Sequence, residues 1–485
     1  MEKTILNLQP ESVWFYFNEI CKIPHPSKKE EKMIAYLLEF GKAHALETHT
    51  DKVQNVLIRK PASKGYENMP SVCLQSHIDM VCEKNSNVQH NFNTDPIKPM
   101  IDGDWVKADG TTLGADDGIG MAVQLAVLAS ESIEHGPIEC LFTVDEETGL
   151  TGAFALEPGF LKSKILLNLD SEDDGQLFIG CAGGKDTVAV FTYTEDKTIP
   201  QGKAYTINVS GLKGGHSGDD INKGLGNSNK ILNRILWNAA KECGIRIAEI
   251  DGGNLRNAIP REANAKIVVP TAKVDSFIYI YNTISSNIKN ELLSVETNLN
   301  IEIKETSIPE VLIDETTQQH LLDSLYVCPH GVIAMCADMP GLVETSTNLA
   351  SIKKVGNEIL VTTSQRSSIE SAKDDIVDMV DTVFRMAGAA TSHGDGYPGW
   401  KPNIHSTIMK ITKDAYQRLF NEEPLVLAIH AGLECGLIGE KYPEMDMISF
   451  GPTLRGVHSP DERLKIDTVE RFWQLTLEVL KNIPS

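Results

Sequence analysis

Leu141-Phe142-Thr143-Val144-Asp145-Glu146-Glu147-Thr148-Gly149 joins an apolar run that begins at Ile138 to three consecutive acids. The run reads as a buried strand over residues 138–144, bounded by a turn. Three adjacent carboxylates at a strand end repel one another unless positive charge sits among them. A metal ion supplies that charge, because carboxylates are hard oxygen ligands and buried anions need a partner. One acid then binds the ion while its neighbour is left to act as a base.

Working outward, further short apolar runs lie at residues 56–58, 72–74 and 164–169, and helical patterns fill residues 11–22, 27–46 and 121–130. The second of these helices opens with Ser27-Lys-Lys-Glu30, a capping-box pattern. Residues 83–110 form a polar excursion, read as a loop or hairpin. Short apolar strands alternating with helices predict an α/β fold with a mostly parallel sheet covered on both faces. Ligands of such sheets bind beyond the carboxyl ends of the strands. His77, Glu146, Glu147 and Asp170 all fall at such ends, and Asp116-Asp117 sits in a glycine-rich turn before a helix. His77-Ile-Asp79, read as strand, puts both side chains on one face, an arrangement suited to a ligating histidine and the carboxylate that orients it.

From about residue 201 the pattern changes to strand, helix, strand, strand, helix, strand, the order of a ferredoxin-like unit. The expected organisation is a catalytic domain in two parts, 1–200 and 391–485, with an inserted α+β lid domain over 201–390. A chain of 485 residues has ample material for such cores.

A net charge of −22 argues against nucleic acid or an anionic membrane as partner. No apolar run approaches the length of a membrane span, and the N-terminus shows no signal-peptide pattern. Nine cysteines, irregularly spaced and without a C-x-x-C pair, fit the reduced thiols of a cytoplasmic protein. Asp170-Ser-Glu-Asp-Asp174-Gly175 imitates a calcium loop, but its closing Glu would fall at Cys181. Phosphate-loop, dinucleotide and serine-elbow patterns are missing.

Taken one at a time, each candidate has an ordinary reading: Asp116-Asp117 as a turn, Glu146-Glu147 as a helix start, Asp170 as a strand-end cap, His458 as a loop residue. Together, two histidines and three carboxylates with a spare Glu match a two-metal hydrolase, whose paired ions need a bridging carboxylate.

Ser76-His-Ile-Asp-Met80, Thr112-Leu-Gly-Ala-Asp-Asp-Gly-Ile-Gly120, Phe142-Thr-Val-Asp-Glu-Glu-Thr-Gly149 and Asn168-Leu-Asp170 resemble motifs of the co-catalytic zinc peptidases of the aminoacylase/carboxypeptidase/dipeptidase superfamily. Gly214-Gly-His-Ser-Gly218, Asn257-Ala-Ile-Pro-Arg-Glu-Ala263, His430-Ala-Gly-Leu-Glu434 and Val457-His-Ser459 extend the likeness over nearly the whole chain. Within the superfamily the chain is most similar to the bacterial Xaa-His dipeptidases. The resemblance implies two zinc ions, with manganese or cobalt as other activating metals. Asp116 would bridge them through a cis peptide to Asp117, His77 and Asp170 completing one site and Glu147 and His458 the other. It implies Glu146 as general base, Asp79 orienting His77, and His216 donating to the oxyanion. Arg366 and Asn257 would hold the substrate's carboxylate end, and Glu434 its amine. Expected substrates are unblocked dipeptides, β-Ala-His included. Alternatives on the same fold are a broader dipeptidase, a tripeptidase or an N-acyl amino acid hydrolase, and a non-catalytic metal-binding scaffold is the alternative from another class. A homodimer through the lid is compatible with the resemblance.

Overall fold

The computed structural model describes residues 4–484. The chain divides into two compact units, one of Met1–Gly180, Pro402–Ala428 and Leu433–Ser485, the other of Cys181–Lys401 and Ile429–Gly432.

In the first unit the strand Ile138–Thr143 is buried along its whole length. Its parallel neighbour is Val72–His77, which pairs on its other side, again in parallel, with Ile165–Asn168. Asp446–Ser449 extends the parallel run, and Glu47–Thr50 and Val56–Lys60 add antiparallel strands at the edge. The central strands are near-continuous Val, Ile, Leu, Cys and Phe because both faces are covered. Helices Glu11–Cys21 and Ala115–Ala129 pack together on this sheet. The polar excursion after residue 83 carries the hairpin Met100–Asp102 and Trp105–Lys107.

The expected capping box does not form. The helix runs Glu31–Ala43, and Ser27 does not cap it. Ser27 Oγ instead donates to Asp79 Oδ2 at 2.7 Å, and Glu30 Oε1 accepts the Asp145 main-chain N–H at 3.1 Å. Ser27 is drawn to a long-range acceptor, and Glu30 Oε1 divides itself between that long-range donor and the local Lys28 N–H at 2.9 Å.

The second unit contains the strands and helices expected from 201 onward. Gly202–Ser210, Arg246–Gly252, Ala263–Pro270 and Asn300–Thr306 are all antiparallel to their neighbours in the ferredoxin-like order, with helices Ser228–Cys243 and Val274–Glu291 on them. The sheet continues into Val343–Val355, Glu358–Ser367 and Gly183–Thr192. That last strand moves the boundary. It pairs residue for residue with Glu358–Ser367, so the long run of the unit is Cys181–Lys401 rather than 201–390, and Ile429–Gly432 also belongs to it.

Candidate metal centre

Three adjacent parallel strands deliver the first candidates. His77 is the last residue of Val72–His77, paired in register with Thr143. Glu146 and Glu147 follow Ile138–Thr143 by a turn in which Asp145 takes a left-handed φ of 50°. Asp170 follows Ile165–Asn168 with only Leu169 between. Asp116 arrives from the start of helix Ala115–Ala129, where it and Asp117 depart from helical geometry and are joined by a cis peptide. His458 comes from the loop after Leu454–Arg455.

The side chains converge. Asp116 sends one oxygen to each histidine: Oδ1 is 3.1 Å from His77 Nε2, and Oδ2 is 3.1 Å from His458 Nε2. Asp170 Oδ1 lies 3.7 Å from the same His77 nitrogen, and Glu147 Oε2 lies 3.0 Å from His458 Nε2. The donors thus fall into overlapping groups: His77-Asp116-Asp170 and Asp116-Glu147-His458 have Asp116 in common, and His77-Glu146-Glu147 overlaps both, with ligand atoms within 4.8 Å of one another in each.

The residues fit a pair of cations. Glu147 Oε1 is buried without a hydrogen-bond partner, a costly state for a carboxylate oxygen. The imidazole and carboxylate donor set suits zinc, manganese or cobalt. Electrostatics point the same way. Burial pushes Glu146 up to about 8 and Asp170 well above the carboxylate range. Burial works to lower His77, yet Asp170 and Asp116 hold it well above its ordinary value. His458 is pushed up to about 11 by its bonds to Asp116 and Glu147. The cluster calls for positive charge.

Asp79 lies just past the strand rather than on it. Its main-chain oxygen is 3.0 Å from His77 Nδ1 and its carboxylate 3.4 Å, so the carbonyl is the closer partner that fixes the ring. Glu434 is fully buried at the same strand ends: Oε2 accepts from Gln75 Nε2 at 2.6 Å and Thr143 Oγ1 at 2.7 Å, leaving Oε1 unpartnered. A separate, wholly acidic group, Glu30-Asp79-Asp145, also has ligand atoms within 4.8 Å. Glu30 and Asp79 accept main-chain N–H groups and Asp145 accepts the Thr148 and Thr151 hydroxyls, which suits a scaffold.

The other candidates belong to the second unit. His216 pairs with Ala258 in the short ribbon Gly215–His216 and Ala258–Ile259, which places Asn257 beside it. Asp219 N donates to His216 Nδ1 at 3.2 Å, leaving Nε2 free of that bond. Arg366 is not a surface residue: it is buried inside Glu358–Ser367, with Nη1 donating to Tyr397 Oη at 3.0 Å and Nε unpartnered. Opposite it on the neighbouring strand is Ser346, which bonds His430 Nε2 at 2.7 Å. Sequence reading missed Tyr397 and Gln75 and gave His430 no role beyond opening a motif, because their contacts come from pairing across the sheet.

Residues 73–482 match peptidase family M20/M25/M40, and that span takes in every donor of the cluster. The chain belongs to this family. It is 45% identical over 479 residues to the cytosol non-specific dipeptidase of Escherichia coli (strain K12), covering 99% of each chain. It is also 45% identical to the aminoacylhistidine dipeptidase of Vibrio alginolyticus, whose crystal structure it matches with a TM-score of 0.94 over 100% of this chain and 99% of that one. A tripeptidase from Staphylococcus aureus, 17% identical, matches with a TM-score of 0.57 over 98% of this chain and 99% of that one, a likeness of fold alone.

Proposed function

We propose that this M20/M25/M40 peptidase is a metal-dependent dipeptidase that cleaves unblocked dipeptides, Xaa-His and β-Ala-His among them. The observation that carries this reading is the division of the Asp116 carboxylate between His77 and His458. The names of the two relatives at 45% identity support the substrate class. A broader dipeptidase is the second reading, favoured by the word non-specific in the name of the Escherichia coli relative.

His77, Asp116 and Asp170 would hold one ion, and Asp116, Glu147 and His458 the other, zinc in the first instance. Bound there, the ions would supply Lewis acidity, which acidifies water and polarises a peptide carbonyl. Glu146, next to a ligand but outside the two groups that share Asp116, takes the proton of the attacking water and delivers it to the leaving amine. Asp79 keeps His77 in one tautomer and holds the turn that carries Glu146. His216 donates to the developing oxyanion, from its own chain or across a homodimer built on the second unit, where Ile333 and Met335 are exposed on the strand Gly331–Met335. Arg366 pairs with the substrate's free carboxylate, Asn257 contacts the same end, and Glu434 adds negative charge that favours the substrate's ammonium. Peptide is the partner this site is built for. Nine irregularly spaced cysteines without a C-x-x-C pair and the name of the Escherichia coli relative support a cytoplasmic location, and among the described residues no helix is long and apolar enough to cross a membrane.

The test is hydrolysis of β-Ala-His, Gly-His and Ala-Ala by zinc-loaded protein beside Glu146→Gln. The variant should keep its metal and lose about 10²–10⁴-fold in kcat. Equal turnover of Ala-Ala would select the broader reading, and undiminished activity in the variant would remove Glu146 from the mechanism.

A further inference from the structure

Glu462 is 2% exposed, and four successive main-chain N–H groups converge on its carboxylate. Leu113 N and Gly114 N donate to Oε2 at 2.7 and 3.1 Å, and Ala115 N and Asp116 N to Oε1 at 2.8 and 3.4 Å. Converging N–H groups of this kind form a nest for an anion, here at the positive end of helix Ala115–Ala129. Gly114 makes the nest possible. Its φ is +70°, and a Cβ there would stand 2.9 Å from Met80 Sδ. Nests often take free anions; this one is filled by the chain's own side chain.

Its other attachment matters as much. Glu462 is the fourth residue after His458, and a tight turn ties the two: Glu462 N donates to Ser459 O at 3.0 Å, and Ser459 Oγ to Gly456 O at 2.6 Å. His458 is held with φ 62° in that turn. One end of Glu462 therefore grips the segment that presents Asp116, and the other continues the loop that presents His458. Those two side chains meet at 3.1 Å.

We propose that Glu462 is a positioning residue of the metal centre: it clamps the Asp116 segment to the His458 loop and so sets the spacing of two ligands that come from opposite ends of the chain. The inference rests on the metal-site reading above. A carboxylate accepts at both oxygens, whereas an amide of the same shape would turn an NH₂ group toward two of the nest's donors. Glu462→Gln therefore leaves the volume unchanged and breaks half of the clamp. A carboxylate with only a packing role would alter stability without altering affinity for metal.

The experiment uses the full chain, wild type and Glu462→Gln. Zinc affinity is measured by competition with a chelating indicator, kcat and KM are measured on Ala-His at saturating zinc, and hydrogen exchange of amides 113–116 is followed in metal-free wild type. Zinc bound about 10–100-fold more weakly by the variant, a lower kcat at unchanged KM, and protected amides at Leu113 and Ala115 are the expected results. A folded variant with wild-type zinc affinity overturns the proposal. If the variant does not fold, the exchange measurement decides: amides 113 and 115 exchanging as fast as exposed loop overturn it. Wild type that binds no zinc would overturn the metal-site reading itself, and the two failures are thereby separate.

Discussion

The carboxylate of Asp79 accepts the main-chain N–H of Glu146 at 2.9 Å, while the main-chain oxygen of the same residue lies 3.0 Å from His77 Nδ1. A single residue thus fixes the ring of one candidate ligand and the backbone of the candidate base. Its other oxygen accepts Glu147 N at 3.3 Å and Ser27 Oγ at 2.7 Å. Asp79→Asn keeps the size but turns an NH₂ group toward one of these donors. We expect kcat to fall by about 10–100-fold, with a comparable loss of zinc affinity, as read by steady-state kinetics and chelator competition. Unchanged values for both would mean that the carbonyl alone orients His77 and that the turn holds itself.

Removing metal should destabilise the first unit. Repulsion among Asp116, Glu147 and Asp170 is relieved by cations, and a ligand that binds only the folded state at 100 times its Kd adds about 2.7 kcal/mol per site. Melting in chelator should therefore come several degrees below melting in zinc. Asp116→Asn, which touches His77-Asp116-Asp170 and Asp116-Glu147-His458 alike, should abolish the difference, and Asp170→Asn should leave part of it. Equal melting of wild type with and without zinc would contradict the pairing of these carboxylates through metal.

The cluster was legible in the sequence where the fold rule is local. His77, Glu147 and Asp170 stand at the ends of apolar runs, and parallel strands bring such ends together whatever their order in the chain. Ser27 and Glu30 misled because a capping box is also a local pattern. Nothing nearby in the sequence says that Asp79 and Asp145 will compete for those side chains. Glu462 lies 346 to 349 residues from the N–H groups it accepts, and no periodicity records a bond of that range. The boundary at Cys181 was missed for the same reason: the partner of Gly183–Thr192 is Glu358–Ser367, far downstream.

Arg366 is buried with Nη1 on Tyr397 and Nε unpartnered, so part of its donor fork remains to be satisfied. A substrate carboxylate is the chemical match, since guanidinium and carboxylate pair in bidentate fashion. Arg366→Ala should raise KM for free dipeptides by about 10–100-fold, the worth of a hydrogen bond to a charged group. C-terminally amidated dipeptides should change far less. Arg366→Lys should not restore the loss, because an ammonium lacks the fork. Equal effects on free and amidated substrates would assign Arg366 to the scaffold of its sheet.

His430 gives the second unit a dependence on acid. It is 5% exposed, and burial, reinforced by the nearby Arg366 charge and by His216, pushes it down to about 4 from 6.5, with Asp219 opposing. Above pH 6.5 neither the folded nor the unfolded chain protonates this ring, and its contribution to stability is complete. Between pH 6.5 and 4 the unfolded chain binds a proton that the folded chain refuses, so unfolding takes up protons and stability falls as the pH falls. The loss has a ceiling of about 3 kcal/mol, from 1.36 kcal/mol per pH unit. Other groups titrate in the same window, so the informative quantity is a difference between two proteins. His430→Gln keeps an amide group where Nε2 meets Ser346 Oγ but cannot ionise. Urea midpoints measured from pH 7 to pH 4 should therefore fall less steeply for the variant than for wild type. Parallel slopes would show that the folded chain protonates His430 as readily as the unfolded one, and that the ring is not held neutral by its surroundings.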